Sequence, residues 1–515
     1  MKRFLTLIIA GAVALSCTNR KTWYGDSFQR SVPEREGVLT EGILNFLDEV
    51  QSEGIDMHSL MILRHGKVIT EGYWYPYKSS YRHIMHSVSK TFTSTAIGFA
   101  VQEKRLTVND KVISFFPADL PAEMPPYLEE LAIKHLLTMS VGQEPAPTFY
   151  MNDNNWVKSF LATPIVHKPG SVYQYSSYAT YMLSAIIQKA TGQTLMDYLA
   201  PRLLEPLRIT GALWEMGAQD MNAGGWGMRI RTEDMAKLGQ FYLQEGWWNG
   251  KQLLNKEWIK EASSLQIYQR DNLTFEEEMY DNSVQGYGYQ IWRCTNNAYR
   301  ADGANGQFII VMPDEDAVVA ITENTSRTQD VLRMVFKHLQ PAMTKKSYTP
   351  KDDLREQLST AVNSLAIPHP FPSVEEVDTF RNQAFSYMFE PNELDLQSVS
   401  LQFDGEGNCR YSVVIGGEAY AFGCGLDSWQ LGTTTKPSPY FLSPRRCPDG
   451  LSPFAVAGYC SRTSADVLCF RLLYVEDYQE ETYTCRFRKG ELQVAYNHSF
   501  EPGAKPVVLN GKQAS

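Results

Sequence analysis

No apolar run in this chain reaches 18 residues, so no segment is long enough to span a bilayer as a helix, which takes about 20. Positive charge is also short: 48 Lys and Arg against 58 Asp and Glu leave a net charge of -10, and no basic run interrupts it. That balance argues against a nucleic-acid partner. There is no Cys-x-x-Cys pair to suggest a metal site. The glycine cluster Gly224-Gly225-Trp226-Gly227 lacks the lysine that would make it a phosphate loop. It reads instead as backbone passing close to a candidate active site. What is present is a globular composition, 43% hydrophobic and 21% charged over 515 residues, with a length prior of about three domains.

The chain opens with Lys2-Arg3 and an apolar run from Phe4 to Leu15, too short for an anchor helix and suited to a secretory signal. Ala14-Leu15-Ser16-Cys17 resembles a bacterial lipoprotein cleavage box, with Ala where Leu is more usual. The expectation is that residues 1–17 are a lipoprotein signal and that Cys17 carries the lipid. The protein would then be exported and tethered to a membrane of the cell envelope, facing the periplasm. Residues 18–36 are polar and aperiodic and read as a tether.

One stretch organises the rest of the chain: His86-Ser87-Val88-Ser89-Lys90, which holds its only Ser-x-x-Lys. Three residues is close to one helical turn, so Ser87 and Lys90 share a face if a helix opens here. Val88, Phe92, Ala96 and Phe99 supply an apolar stripe for that helix. A serine hydroxyl needs an adjacent base, and a desolvated lysine serves. A chain this long yields about one or two such matches by chance, so the weight falls on segments further along. Ile133-Lys134-His135-Leu136-Leu137 reads as a short helix with His135 a packed structural histidine. Pro169-Gly170 leads into Tyr173-Gln174-Tyr175-Ser176-Ser177, where Tyr175 can shuttle a proton between Ser87 and a leaving group. Tyr299-Arg300-Ala301-Asp302-Gly303-Ala304-Asn305-Gly306-Gln307 precedes two apolar runs around an acidic turn, which read as paired strands.

Ser87-Val88-Ser89-Lys90, Tyr175-Ser176-Ser177 and Ala301-Asp302-Gly303, in that order across residues 37–344, resemble the class C β-lactamase and penicillin-binding-protein-like serine hydrolases. The resemblance implies an α+β fold, an antiparallel sheet flanked by helices plus an all-helical region, with no cofactor and no metal. It implies Ser87 as the acylated nucleophile, with Lys90 and Tyr175 as proton-transfer groups in an order left open. The backbone N–H groups of Ser87 and Ala304 would form the oxyanion hole, and Ser177, Asp302 and Gly303 would contact substrate. Ser177 stands where the family often has Asn. Ala301-Asp302-Gly303 replaces the Lys-Thr-Gly or His-x-Gly whose cation receives a β-lactam or peptide carboxylate. A free Asp302 would repel that carboxylate and favour a substrate carrying an amine. The expected substrate is therefore a small ester, linear amide or peptide-like molecule. A β-lactamase or D-amino-acid peptidase is the alternative, and a non-catalytic binding lipoprotein the competing class.

Residues 345–372 read as a linker and helix, with Leu354, Leu358, Val362 and Leu365 on one side. Residues 373–515 carry short alternating strands with glycine turns, a sandwich or small barrel. Six of the eight cysteines lie there, and an exported compartment permits disulfides among them.

Overall fold

A computed structural model describes residues 24–145, 153–270, 272–344, 346–368, 371, 380–440, 452–501 and 503–514. Cys17 and the signal segment lie outside the described residues. The first domain is built on a six-stranded sheet of β1 (Met57–Arg64), β2 (Lys67–Tyr73), β3 (Trp292–Arg293), β4 (Tyr299–Gly303), β5 (Gln307–Met312) and β6 (Ala317–Glu323), in the order β2-β1-β6-β5-β4-β3. Its pairs are antiparallel. Side chains of a strand alternate between faces, and here both faces are covered. Leu60, Ile62, Phe308, Ile310, Val319 and Ile321 pack against helix α1 (Thr40–Ser52) and a C-terminal helix carrying Val331 and Leu332. Met61, Leu63, Ile309, Val311, Val318 and Ala320 pack into a larger cluster shared with α2 (Ser89–Gln102), α3 (Ser177–Thr191) and α4 (Thr232–Leu243). The Pro313-to-Asp316 turn between β5 and β6 falls in the acidic turn that the sequence places between two apolar runs.

Two expectations shift. The segment read as a tether is docked from Tyr24 onward: Tyr24 and Phe28 are buried against Trp248, and Arg30 pairs with Glu71 and Glu233. The α2 helix, read as amphipathic, is buried on every side from Ser89 to Ala100. Its threonines are tolerated because their hydroxyls have acceptors: Thr91 at Gln290 O, Thr93 at Gly224 O and Thr95 at Thr91 O.

After the linker helix Asp352–Asn363 the chain forms the second domain. Its strands are β7 (Ala384–Phe389), β8 (Leu396–Phe403), β9 (Cys409–Ile415), β10 (Glu418–Leu426), β11 (Gln430–Thr434), β12 (Phe454–Ser464), β13 (Val467–Tyr474), β14 (Glu480–Arg488), β15 (Glu491–His498) and β16 (Val507–Gln513). Nine of them close a barrel in the order β10-β9-β8-β7-β16-β15-β14-β13-β12, the ring sealed by the parallel pairing of Gly425 and Leu426 with Tyr459 and Cys460, while β11 adds to the edge of β12. Closure removes the exposed edges an open sheet would leave. Tyr411, Phe422, Phe470, Leu472 and Tyr483 fill the interior. Cys409, Cys424, Cys460, Cys469 and Cys485 are free and buried, so in this structure they serve as small apolar fillers rather than cross-links.

Gly239 on α4 lets the helix lie close against the sheet: a Cβ there would stand 2.5 Å from Val318 Cγ1 and 2.8 Å from Ile309 Cγ2. Alanine is normally favoured over glycine in a helix by about 1 kcal/mol. Here G239A is expected to lower stability instead, by about 1 to 3 kcal/mol from overpacking, measured by denaturant unfolding of the full chain.

Candidate active site

The strand pair His83–Ile84 and Met228–Ile230 delivers the chain to Ser87: Met85 N donates to Met228 O at 2.8 Å, and a 3₁₀ turn, His86–Val88, runs into α2. Ser87 is the one residue between His83 and Ala100 that is not buried. One turn on, Lys90 is 1% exposed, and its Nζ has three neighbours: Ser87 Oγ at 2.9 Å, Ser177 Oγ at 3.0 Å and Gly225 O at 2.6 Å. Burial pushes the Lys90 ammonium down from an ordinary 10.5 to about 7, and the nearby Asp302 carboxylate pulls the other way. A neutral lysine has two hydrogens and one lone pair. With Gly225 O and Ser177 Oγ taking the hydrogens, the lone pair faces Ser87.

Tyr175 lies beside them. Its ring centroid is 4.9 Å from Lys90 Nζ. The residue is 36% exposed, and desolvation pushes its ionisation upward, opposed by the nearby Ser87 side chain. Trp292 at 5.8 Å from Tyr175, and Tyr287 at 5.2 Å from Trp292, extend an aromatic wall.

The third segment is β4, which runs beside the Ser87 turn. A Cβ on Gly303 would stand 2.5 Å from Met85 O, so glycine is what lets this strand lie against the residues leading to Ser87. Ala304, just past the strand, is exposed. Among the described residues, neither the Ser87 nor the Ala304 amide is used by a backbone carbonyl.

The structure adds to three readings made from the sequence. Ser177, expected as a substrate contact, is also a partner of Lys90. Asp302, taken as a free carboxylate, is paired through Oδ2 with Arg300 Nε at 2.7 Å, and that guanidinium is itself 1% exposed. The pair offsets the charge that would repel an anion or select an amine. Third, the carbonyl of Gly225 is a working contact, where the glycine cluster had suggested only a close approach. His135 is as expected structural: its Nδ1 accepts from Ala132 N at the start of its helix. Arg300, Trp292 and Tyr287 were not singled out from the sequence. Arg300 had a signal, since residues two apart on a strand share a face, which sets Arg300 beside Asp302.

The family model described as Beta-lactamase matches residues 46–338. The chain belongs to the beta-lactamase family. Its beta-lactamase domain has the fold of that family's serine hydrolases, and the nine-stranded barrel comes after it. Protein flp of Staphylococcus aureus is 30% identical over 177 residues, 32% of this chain and 35% of its own length. An uncharacterized protein of Alkalihalophilus pseudofirmus is 23% identical over 235 residues, 40% of this chain and 65% of its own. The chain thus spans less than two thirds of either relative. The solved structure of the octameric penicillin-binding protein homologue from Pyrococcus abyssi is 14% identical, with 91% of this chain and 99% of that one covered at a TM-score of 0.46.

The Lys90 environment sets a pH dependence for reaction at Ser87. Below about 7 the amine is protonated and has no lone pair, so the rate of Ser87 modification by a fluorophosphonate is expected to rise with pH through about 7 and then level. Asp302 favours the charged amine, so D302N is expected to move that midpoint to lower pH. An unchanged midpoint would remove Asp302 from the electrostatics of Lys90. Stability depends on the same group with the opposite reference: the unfolded lysine holds its proton up to its ordinary 10.5, so the contribution of Lys90 to stability rises with pH between about 7 and 10.5.

Proposed function

We propose that this protein hydrolyses an ester or linear amide bond through an acyl-enzyme on Ser87. The observation that carries the reading is the Lys90 amine, buried, shifted to about 7 and held so that its free valence meets Ser87 Oγ at 2.9 Å. In the proposed sequence Lys90 takes the Ser87 proton as Oγ attacks the carbonyl. The amides of Ser87 and Ala304 receive the oxyanion, a contribution of about 2.7 to 4 kcal/mol per donor. Tyr175 is a neutral phenol, because burial drives its ionisation upward, so it does not take the first proton; it passes its own proton to the leaving group as it receives one from the Lys90 ammonium, which holds the proton of Ser87, and both end neutral. Water then enters by the same route in reverse.

The composition of β4 supports esters and linear amides over β-lactams in this reading. The segment Ala301-Asp302-Gly303 presents no lysine, and the Arg300 charge next to it is buried and committed to Asp302, Asn282 O and Cys294 Sγ. The carboxylate common to β-lactam substrates has no open cation there. The aromatic wall of Tyr175, Tyr287 and Trp292 suits an apolar acyl or leaving group. In the same reading the enzyme works outside the cytoplasm, held at an envelope membrane by a lipid on Cys17, and a small molecule rather than a nucleic acid is its partner.

The test is hydrolysis of a short-chain p-nitrophenyl ester, the matching p-nitroanilide and a chromogenic cephalosporin. Ester turnover is expected to exceed cephalosporin turnover and to fall at least about 10³-fold in S87A. Dominant cephalosporin turnover would overturn the substrate class. In Y175F the anilide is expected to lose more than the ester, by about 10²-fold, because p-nitrophenolate leaves without a proton and an aniline does not. Metabolic labelling with an alkynyl fatty acid is expected in the intact chain and absent in C17A. Labelling that survives C17A would refute the anchor.

A further inference from the structure

The turn between β13 and β14 leaves the barrel and enters the first domain directly behind the nucleophile. Three consecutive residues of that turn each hold a different piece of the hydrolase. Glu476 O accepts from Ile84 N at 2.8 Å, and the Glu476 carboxylate takes Arg82 in a two-point pair at 2.7 and 3.1 Å. Asp477 pairs with Arg229 at 2.6 Å, where Arg229 is 1% and Asp477 4% exposed. The Tyr478 hydroxyl lies 2.6 Å from His86 Nε2. Tyr478 is 5% and His86 8% exposed, and the Tyr478 ring is stacked on His83 with centroids 5.7 Å apart.

His86 is the residue before Ser87, and its backbone is in the left-handed region at φ 43°. A side chain with a Cβ rarely adopts that conformation unaided. The orientation of the Ser87 N–H and the start of the 3₁₀ turn depend on it, since both are set by the peptide that His86 contributes. Nothing in the imidazole's own element bonds Nε2, whereas the barrel places a hydroxyl on it. The neighbouring contact works on the opposite side of the same turn: Arg229 belongs to the short strand whose Met228 O accepts from Met85 N and whose Met228 N donates to Ser89 Oγ at 3.1 Å.

We propose that Tyr478 of the barrel is a positioning residue for the hydrolase site, holding His86 in its left-handed conformation and thereby setting the Ser87 amide and hydroxyl for acylation. The proposal rests on the reading of Ser87 as nucleophile. It assigns to the barrel a part in the chemistry of a domain whose own residues supply Ser87, Lys90 and Tyr175. Tyr478 touches no reacting atom; its effect passes through residue 86. Burial keeps the imidazole neutral at working pH, pushing it down to about 3, so the contact does not switch off as pH falls toward 6.

The experiment uses the full chain with Y478F, H86G and H86G/Y478F, and two readouts. The first is the rate of fluorophosphonate labelling, with S87A as the blank. Y478F keeps the ring and its stacking on His83, so melting is expected to stay close to that of the parent while labelling slows about tenfold or more. Glycine takes a positive φ without help, so H86G and H86G/Y478F are expected to label at the same rate as each other. Labelling of Y478F at the parent rate would overturn the proposal, and so would an equal slowing by Y478F in both the parent and H86G backgrounds. The second readout needs no reactivity: hydrogen exchange of a peptide spanning residues 84–90 is expected to speed up in Y478F. Should the parent protein fail to label at all, the nucleophile assignment falls on its own. Exchange then still decides the contact, with faster exchange upholding it and unchanged exchange overturning it.

Discussion

Lys90 is a primary amine enclosed by protein, and the rest of the first domain is arranged around the cost of putting it there. A buried ammonium without compensation is expensive, and the lysine answers by losing its proton at a pH well below its ordinary one. That alone would leave a neutral amine of no fixed orientation. Gly225 O and Ser177 Oγ supply the orientation, so desolvation sets the protonation state and two acceptors set the direction of the lone pair. Each acceptor depends on a distant element. Ser177 is the first residue of α3, whose hydroxyl cap comes from Ser176. Gly225 lies in a segment that only glycine could bring so close, since a Cβ there would meet Ser177 O at 2.6 Å.

The same constraint explains the character of α2. The helix that carries Lys90 and starts beside Ser87 is held by burial on all sides rather than on one stripe. Thr91, Thr93 and Thr95 along it act as bolts, each bonded to a carbonyl of its own helix or of the Gly224 and Gln290 segments. Asp302 belongs to this system as well. Through Arg300 it is held in the strand, and its remaining charge reaches Lys90 and Tyr175, raising the ionisation of both. A residue expected to meet the substrate thus also acts on the electrostatics of Lys90 and Tyr175.

What the sequence shows and hides divides along physical lines. The β5–β6 pair and the linker helix were legible because local periodicity and turn residues determine them. Ser87, Lys90 and Tyr175 were legible because helical spacing and chain order place them. Gly225 O was not, since a carbonyl carries no side-chain signature. The paired state of Asp302 was readable from Arg300 two residues earlier but only with the strand direction in hand. Barrel and sandwich have the same alternating strands; what decides between them is one parallel pairing, Gly425 with Tyr459, that no turn predicts. The contact between His86 and Tyr478 joins positions 392 residues apart and has no local pattern at all.

The joint between the two domains shows why buried charge appears where an apolar contact would suffice for adhesion. Trp429, Tyr459, Leu473 and Val475 of the barrel share a hydrophobic cluster with Trp74, Tyr77 and Ile367, and that burial supplies attraction. Hydrophobic burial is non-directional; it would permit the barrel to settle in several registers. Arg229 does not. It is bonded to Glu215 of its own domain at 2.8 Å and to Asp477 of the barrel at 2.6 Å, all three side chains almost wholly buried. One guanidinium between two carboxylates leaves Glu215 short of compensation, and burial raises its ionisation accordingly. Such a group adds little net stability when intact, yet leaving one partner behind costs about 3 to 5 kcal/mol. A displaced barrel would incur that loss at Arg229 and a second one at Arg82 and Glu476, while an apolar seam would incur almost none. The ions therefore act as a registration device. Because Arg229 sits on the strand that carries Met228, the register they enforce is passed by two hydrogen bonds of the Met228 backbone to Met85 and Ser89, the residues on either side of the turn that holds Ser87.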